Sequence, residues 1–405
     1  MRTVAEHRAA VLALARLTPS RDVALEEAAG HVLAREVRAT GPLPAWDNSA
    51  MDGYAVRAAD LRGAAPERPV ELRVVTDLPA GSAATDAVGP GDAARIMTGA
   101  PVPPGADAVV PVELTDGGTT TVRVGQAPVP GAHIRRVGED ARPGDLVLAA
   151  GTPLAERHVA AAAAAGVGRV EVHRRPRVVV LSTGSELGTP GEPQPRGRIP
   201  DSNSYLLAAA VTAAGCEVVR LPPVPDEPDI LRAVLAEHDG AVDAVITAGG
   251  VSVGAYDVVK AALTGWGDVT FANVAMQPGK PQGLGRLPRG TPVFCLPGNP
   301  VSVFVSFEVL VRPALLRMRG LTSLERPTVT AVTADGWRTP PGRTQYMPVT
   351  LEPDGEGWRA RRAAPGGSGS HLAVGLAAAD GLAVVPLEID EVAAGDTLTV
   401  MRCEP

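Results

Sequence analysis

Five short segments hold most of the residues able to act on a charged substrate. They are Ser182-Thr183-Gly184-Ser185-Glu186, Pro225-Asp226-Glu227, Gly249 to Gly254 followed by Tyr256-Asp257, Gln277-Pro278-Gly279-Lys280-Pro281, and Pro297-Gly298-Asn299-Pro300. Glycines let backbone N–H groups approach a phosphate, and a helix beginning just after such a loop favours an anion. Asp226, Asp257 and Glu186 are of the type that holds Mg²⁺ against phosphate oxygens. Lys280 adds a point positive charge. Any one loop is explained as well by chain reversal and helix capping; five on one edge point to a phosphate-bearing ligand. None is a nucleotide-hydrolase loop: Gly249 to Gly254 lacks the following Lys-Ser/Thr, and no G-x-G-x-x-G follows a strand.

A second polar group lies upstream. Asp47 to Tyr54 packs two carboxylates and an aromatic into eight residues, and Arg95–Gly99 and Arg135–Asp140 are further polar turns. Composition alone reads these as turns and a solvated edge. Lysine usage is also unusual: of 38 basic residues only Lys260 and Lys280 are lysines. A lysine that persists among arginines suits a place where a compact ammonium cannot become a planar fork.

The elements that must position these groups follow from periodicity. From 177 to 318 apolar, β-branched runs (Arg177–Leu181, Val218–Leu221, Ala244–Thr247, Val293–Leu296) alternate with helical segments, the pattern of a doubly wound, mostly parallel α/β sheet. Its strands' carboxyl ends lead into the loops above, on the edge where such sheets bind ligands. Residues 4–17 read as an amphipathic helix, and Thr152-Pro153 as the cap and first residue of another. Between them short β-prone runs (Val70–Val75, Ala108–Leu114, Thr119–Val124) are separated by Gly/Pro/Asp clusters. The expected organisation is a helical domain at 1–44 and 146–175, a β domain inserted at 45–145, the α/β domain at 176–322 and a β-domain at 323–405.

Composition excludes several classes. With Lys+Arg 38 against Asp+Glu 45, the chain has a net charge of −7 and no basic run, and only 3% of its residues are aromatic. Both argue against nucleic-acid binding. Three dispersed cysteines (Cys216, Cys295, Cys403) make neither a disulfide framework nor a zinc site. The N-terminal segment is interrupted by Glu6, His7, Arg8 and Arg16, and no stretch of 18 apolar residues occurs. A cytoplasmic protein without membrane contact is therefore expected.

The sequence resembles the molybdopterin molybdenumtransferases, bacterial enzymes related to the E domain of gephyrin. The matching stretches are DNSAMDGYAV (47–56), RIMTGAPVPPGADAVV (95–110), RRVGEDARPGD (135–145), STGSEL (182–187), DSN (201–203), AGGVSVGAYDVVK (248–260), PGKP (278–281) and LPGNPVS (296–302). They keep the family's order across nearly the whole chain. The resemblance implies a helical domain with an inserted elongated β domain, a central α/β domain that binds molybdopterin, and a C-terminal β-barrel. It also implies a homodimer whose cleft lies between the α/β domain of one subunit and the β domain of the other. The implied reaction inserts molybdate into adenylylated molybdopterin, releases AMP and requires Mg²⁺. A molybdopterin adenylyltransferase and cofactor-accepting enzymes are the implied partners.

Carried residue by residue, the resemblance marks Asp52, Thr98, Arg135, Glu186, Asp226, Asp257 and Ser370 as site residues. Lys280 joins the catalytic set, and Asp226, Asp257 and Glu186 are the metal candidates. Loops 182–186 and 249–254 become the pterin phosphate cradle, through Ser182, Thr183, Gly184, Gly249, Gly250, Ser252 and Gly254. Gln277, Pro297, Gly298 and Asn299 complete the substrate contacts. One departure stands out: the family often has lysines where this chain has Asn273 and Gln277. Two charges are then absent from the oxyanion site unless an arginine elsewhere compensates. Other readings are a tungstate-using or adenylylating paralogue, or a non-catalytic molybdopterin-binding scaffold. Retention of Asp52, Asp226, Asp257 and Glu186 favours the enzyme.

Overall fold

The computed structural model describes residues 1–251, 257–364, 369 and 372–403. Its central sheet has the order Glu217–Arg220, Arg177–Ser182, Ala244–Ala248, Pro292–Leu296, Pro281–Arg286, Asp268–Asn273. The first four strands are mutually parallel and the last two joins are antiparallel. Alternate residues of the Arg177–Ser182 strand enter opposite cores. Val178 and Val180 meet Leu207, Val211, Val303 and Phe307 on one face. Val179 and Leu181 meet Leu231, Leu235, Val258 and Val259 on the other. A strand covered on both sides must be apolar throughout, hence the continuous run. The Val4–Leu14 helix also packs on the first face, through Val11.

Chain order departs from spatial order beside Arg177–Ser182, which lies between the second and third strands of the domain. This switch point opens a crevice at the carboxyl edge, where the loops after residues 182 and 248 diverge. The Asp268–Asn273 strand runs in the same sense as its parallel neighbours, so the 274–280 loop falls on that edge too.

The helix after Asn299 changes character midway: Pro300–Ser306 is α-helical, Phe307–Val311 a π turn, and Arg312–Met318 α-helical again. Pro313 cannot donate to the carbonyl four residues back and its ring crowds that carbonyl, so the ladder widens just before it. The π turn carries buried Glu308, which accepts from Arg326 Nε and Nη2 at 2.9 and 3.1 Å.

Upstream, a five-stranded sheet (Ala108–Pro111, Gly53–Val56, Asp92–Ile96, Val70–Leu78, Thr121–Val124) closes over Tyr54, Leu72, Val110 and Val122. It is inserted between parts of a small layer in which Ser20–Ala24, Arg169–His173 and Val32–Leu33 form a sheet beside the Leu25–Ala28 and Glu156–Ala164 helices. Thr152 does not cap the second helix, which begins at Glu156 after Ala155. Pro153 instead bridges Val32, and buried Leu154 exchanges backbone bonds with Gly30 and His31. The chain just after the Leu25–Ala28 helix forms two short strands, Val32–Leu33 and Val37–Arg38.

The C-terminal region is a closed five-stranded barrel. Thr344–Asp354, Gly357–Arg362, Thr328–Thr333, Thr397–Arg402 and Gly381–Val385 pair in turn, and the last returns to the first. The Met276–Gln277 strand adds to it, paired in parallel with Thr344 and Gln345. Val274, Met276, Val301 and Val305 share a core with Tyr346 and Leu382. Among the described residues no helix is long and apolar enough to cross a membrane.

Candidate active site

A cleft of about 520 Å³ opens at the switch point, lined by Thr183, Gly184, Glu186, Asn203, Asp226, Gly249, Gly250, Asp257, Gly298 and Asn299 among others. An adjoining recess of about 270 Å³ shares Gly250, Gly298 and Asn299 and adds Gln277, Lys280 and Pro297. Four of the five loops thus meet at the first cavity and the fifth enters through the second.

The loops are held by backbone rather than left free. Thr183 N–H donates to the Ala248 carbonyl, Gly184 N–H to Val224, and Gly249 N–H to Leu296. Gly249 has φ +102°, and a Cβ there would stand 2.7 Å from the Thr183 carbonyl oxygen, so glycine is required by the approach of the two loops. Ser185 N–H donates to Asp226 Oδ2 at 3.0 Å, and Asp226 N–H donates back to Ser185 Oγ at 3.1 Å. The expectation that the amides of Thr183, Gly184 and Gly249 cradle a phosphate is therefore corrected: these donors are spent inside the protein. The amides of Glu186, Gly250 and Gly298 have no partner among the described residues and border the same cleft.

Ser182 does not face the cleft as a ligand. Its Oγ donates to Asp201 Oδ1 at 2.8 Å, deep beneath the loop. Asp201 is 1% exposed and also accepts from Ser204 N–H at 3.1 Å and from the Ser204 hydroxyl. Asn203 donates Nδ2 to the Gly298 carbonyl at 2.6 Å, tying the 201–203 turn to the Pro297–Pro300 loop. The DSN stretch is thus the brace beneath two site loops, a role that composition did not reveal.

Buried Asp257 Oδ2 and Thr183 Oγ1 have no hydrogen-bond partner among the described residues. Unsatisfied polar atoms at a cleft are open to a ligand, a cation or water. Glu186, Asp226 and Asp257 line that cleft, but no group of three or more His, Cys, Asp or Glu among the described residues is spaced to hold a metal ion. The donor set fits Mg²⁺ bound by one or two carboxylates with the remaining positions filled by phosphate oxygens and water. It does not fit an all-protein cage. Asp257 supplies the free oxygen, while Asp226 has one oxygen committed to Ser185.

At the far end of the recess, Arg343 Nη1 donates to Gln277 Oε1 at 3.0 Å. A guanidinium from the barrel therefore stands where the sequence lacks a lysine. Strand pairing of Met276–Gln277 with Thr344–Gln345 puts it there, a contact no local pattern could disclose.

Asp52, Thr98 and Arg135 lie in the upstream β region and do not line this chain's α/β cleft. Asp52 and Thr98 are brought together: Thr98 N–H and Oγ1–H both donate to Asp52 Oδ1 at 2.7 Å. The Thr98 amide, with its hydroxyl, holds the exposed Asp52 carboxyl below its ordinary range. Arg135 sits on a two-residue strand paired with Asn48. Its neighbour Arg136 pairs with Asp47 at 2.6 Å, and the Val137 amide lowers the Asp47 pKa first, with Arg136 adding to it. Ser252, Gly254 and Ser370 lie outside the described residues.

The fold and cleft together define a multidomain protein whose α/β unit opens a polar, glycine-lined cleft at a sheet switch point. Three family models cover it: the MoeA N-terminal region (domains I and II) matches residues 2–166, a probable molybdopterin binding domain 179–317, and the MoeA C-terminal region (domain IV) 330–402. A protein named molybdopterin molybdenumtransferase 2 from Mycobacterium tuberculosis (strain ATCC 25618 / H37Rv) is 46% identical over 99% of both chains. Another named molybdopterin molybdenumtransferase, from Nostoc sp., is 37% identical over 94% of this chain and 88% of its own. The crystal structure of a molybdopterin biosynthesis MoeA protein from a Pyrococcus species superposes with a TM-score of 0.86 at 30% identity, covering 100% of this chain and 99% of that one. The chain belongs to the MoeA family of molybdopterin molybdenumtransferases.

Proposed function

We propose that this enzyme inserts molybdate into adenylylated molybdopterin and releases AMP, with Mg²⁺ at Asp257. The observation that carries the reading is the pair of adjoining cavities. The larger, with free amides at Glu186, Gly250 and Gly298 and the orphaned Asp257 oxygen, suits a phosphoanhydride. The smaller, ending at Lys280 and the Gln277–Arg343 contact, suits an oxyanion. Two anions brought together repel, so fixed donors and cations aimed at them lower the barrier most. Mg²⁺ would supply charge neutralisation at the anhydride. Glu186, Gly250 and Gly298 orient the phosphates through their amides, and Asp226 fixes the loop that presents Glu186. Arg343 offsets part of the charge absent at positions 273 and 277.

The exposed Asp52–Thr98 pair and Arg135, absent from the lining of their own chain's cleft, are consistent with service to a second subunit in a homodimer. Mixing Asp52→Asn and Asp257→Asn subunits tests this: restored activity supports a shared site, and none refutes it. The reaction is tested by AMP release from adenylylated molybdopterin with Mg²⁺, with and without molybdate. Molybdate-dependent release with active cofactor formed supports the proposal. Tight pterin binding without release replaces it with a scaffold role.

A further inference from the structure

The opposite edge of the central sheet carries a separate recess. About 200 Å³ in volume, it lies at the amino ends of the Ala244–Ala248 and Pro292–Leu296 strands and is bordered by Arg16, Arg286 and Arg289. The cleft opens at the carboxyl ends of the same two strands, about 16 Å away along the sheet. The three arginines come from separate pieces of chain. Arg16 follows the Val4–Leu14 helix, Arg286 ends the Pro281–Arg286 strand, and Arg289 stands in the turn that leads to Pro292. Leu17, Val242, Pro292 and Met318 supply the apolar part of the wall.

The nearby acids are already committed. Asp243, the one carboxylate lining the recess among the described residues, accepts from Arg174 Nη1 and Nη2 at 2.6 Å each and from Arg177 N–H at 2.7 Å. Asp239, buried beside the 286–291 turn, accepts from the Arg289 amide at 2.6 Å and from the Thr291 amide at 3.3 Å. Arg286 Nη1 and Nη2 donate to the Gly290 and Leu14 carbonyls at 2.9 and 3.0 Å, which fixes the guanidinium without neutralising it. Burial, with repulsion from Arg16 second, holds the Arg286 pKa below its ordinary value. The Arg289 stem lies over Gly240, where a Cβ would stand 3.5 Å from its Cβ and Cδ. Among the described residues none of the three guanidiniums has an ion-pair partner.

We infer that Arg16, Arg286 and Arg289 form an anion site on the amino edge of the α/β domain, one that takes a phosphate group, free or at the end of a small ester. Three positive charges without a free counter-charge suit a group that carries about two negative charges near neutral pH. Guanidinium forks pair bidentately with phosphate oxygens. A recess of about 200 Å³ is below the roughly 300–1,000 Å³ typical of organic ligands. It is too small to enclose a nucleotide and admits a phosphate with a few carbons against Leu17 and Met318. Arg286 already ties the Leu14 carbonyl to the sheet, so an anion bridging Arg16 and Arg286 clamps the end of the first helix there. This site stands whether or not molybdate is the substrate at the cleft.

The test titrates full-length protein with sodium phosphate and with glycerol 3-phosphate by calorimetry, at an ionic strength held constant with sodium chloride. Wild type is compared with Arg16→Gln/Arg289→Gln, with Arg289→Lys, and with Lys280→Gln, which identifies phosphate entering the recess beside the cleft. Arg16 and Arg289 are exposed, so their substitution does not threaten the core. The double variant is expected to bind phosphate about tenfold more weakly. Arg289→Lys should lose about threefold, because charge is kept and the fork is lost. Lys280→Gln, on the other edge of the sheet, should stay within about twofold of wild type. In phosphate-free buffer the double variant should melt no lower than wild type, since the repulsion at Arg286 is relieved, and added phosphate should raise its melting temperature less. Binding of both probes supports a site open to esters, and binding of phosphate alone supports one for the free ion. Equal phosphate affinity in wild type and the double variant, loss of all binding in Lys280→Gln, or no binding to wild type overturns the inference.

Discussion

Asp201 offers a quantitative test of how the cleft is braced. Its carboxylate, 1% exposed, accepts from Ser182 Oγ, Ser204 N–H and Ser204 Oγ. Asp201→Ala leaves one buried amide and two hydroxyls without their acceptor. An abandoned buried donor costs about 1–3 kcal/mol; since hydroxyls can turn elsewhere, the total should be about 4 kcal/mol. Asp201→Asn keeps Oδ1, now uncharged, for Ser182 and the Ser204 amide, and puts an NH2 donor where the Ser204 hydroxyl had its acceptor, so that hydroxyl must turn to accept; the loss should be about 1–2 kcal/mol. The assay is urea unfolding followed by fluorescence of Trp266, which packs in the α/β core, with the other three tryptophans replaced by phenylalanine so that one domain is read. For a slope of about 2 kcal/mol/M, Asp201→Ala should lower the midpoint by about 2 M and Asp201→Asn by less than 1 M. An Asp201→Ala midpoint within 0.5 M of wild type (about 1 kcal/mol), or equal loss in both variants, would refute the bracing argument.

Three further outcomes are expected. Gln277→Lys places an ammonium beside Arg343, a repulsion of about 1–4 kcal/mol according to solvent access; the melting temperature should fall without oxyanion and rise more than that of wild type when molybdate is added. An unchanged molybdate increment would count against an oxyanion end at Gln277. Burial, with Arg2 adding repulsion, pushes His7 down to about 4 from its usual 6.5. The folded state therefore binds fewer protons than the unfolded one between those values, and stability is full above pH 6.5 and lost by up to about 3 kcal/mol as pH falls toward 4. Urea midpoints from pH 7.5 to 4.5 should show this slope in wild type and a flatter one in His7→Leu. Glu308→Ala removes the carboxylate that pairs with both Arg326 and Arg312 and should cost about 3–5 kcal/mol, partly recovered in Glu308→Ala/Arg326→Met. No recovery in the double variant would mean that the glutamate acts through packing alone.

The α/β sheet was readable because its central strands are covered on both faces, which writes Val178–Leu181 as an unbroken apolar run. Its antiparallel edge was not, since Gly283 and Leu284 could pair in either sense until neighbours fix the register. The Thr152-Pro153 pair has the local chemistry of a helix start, yet Pro153 is drawn into a bridge with Val32, a tertiary override of a local signal. At the site, the loops, Asp226 and Asp257 were visible as residue types. Which amides remain free was not: the Thr183 N–H is spent because the Ala248 carbonyl on the neighbouring strand lies within reach. Nothing in the sequence around Arg343 hints at Gln277, 66 residues away.

The two-residue pairing of Met276–Gln277 with Thr344–Gln345 has a consequence for how such proteins can be rearranged by recombination. The barrel closes on itself, which ordinarily makes a module portable. Here the strand added to it, Met276–Gln277, continues into the loop ending at Lys280, and Arg343, just ahead of the barrel's Thr344–Asp354 strand, bonds back to Gln277. A crossover between residues 318 and 328 that exchanged the barrel for a distant relative's would bring a foreign partner to Gln277 and a mismatched seat for Val274 and Met276. Inheritance of the two domains as one block is the expected outcome, with the joint, not either domain, setting the limit on divergence.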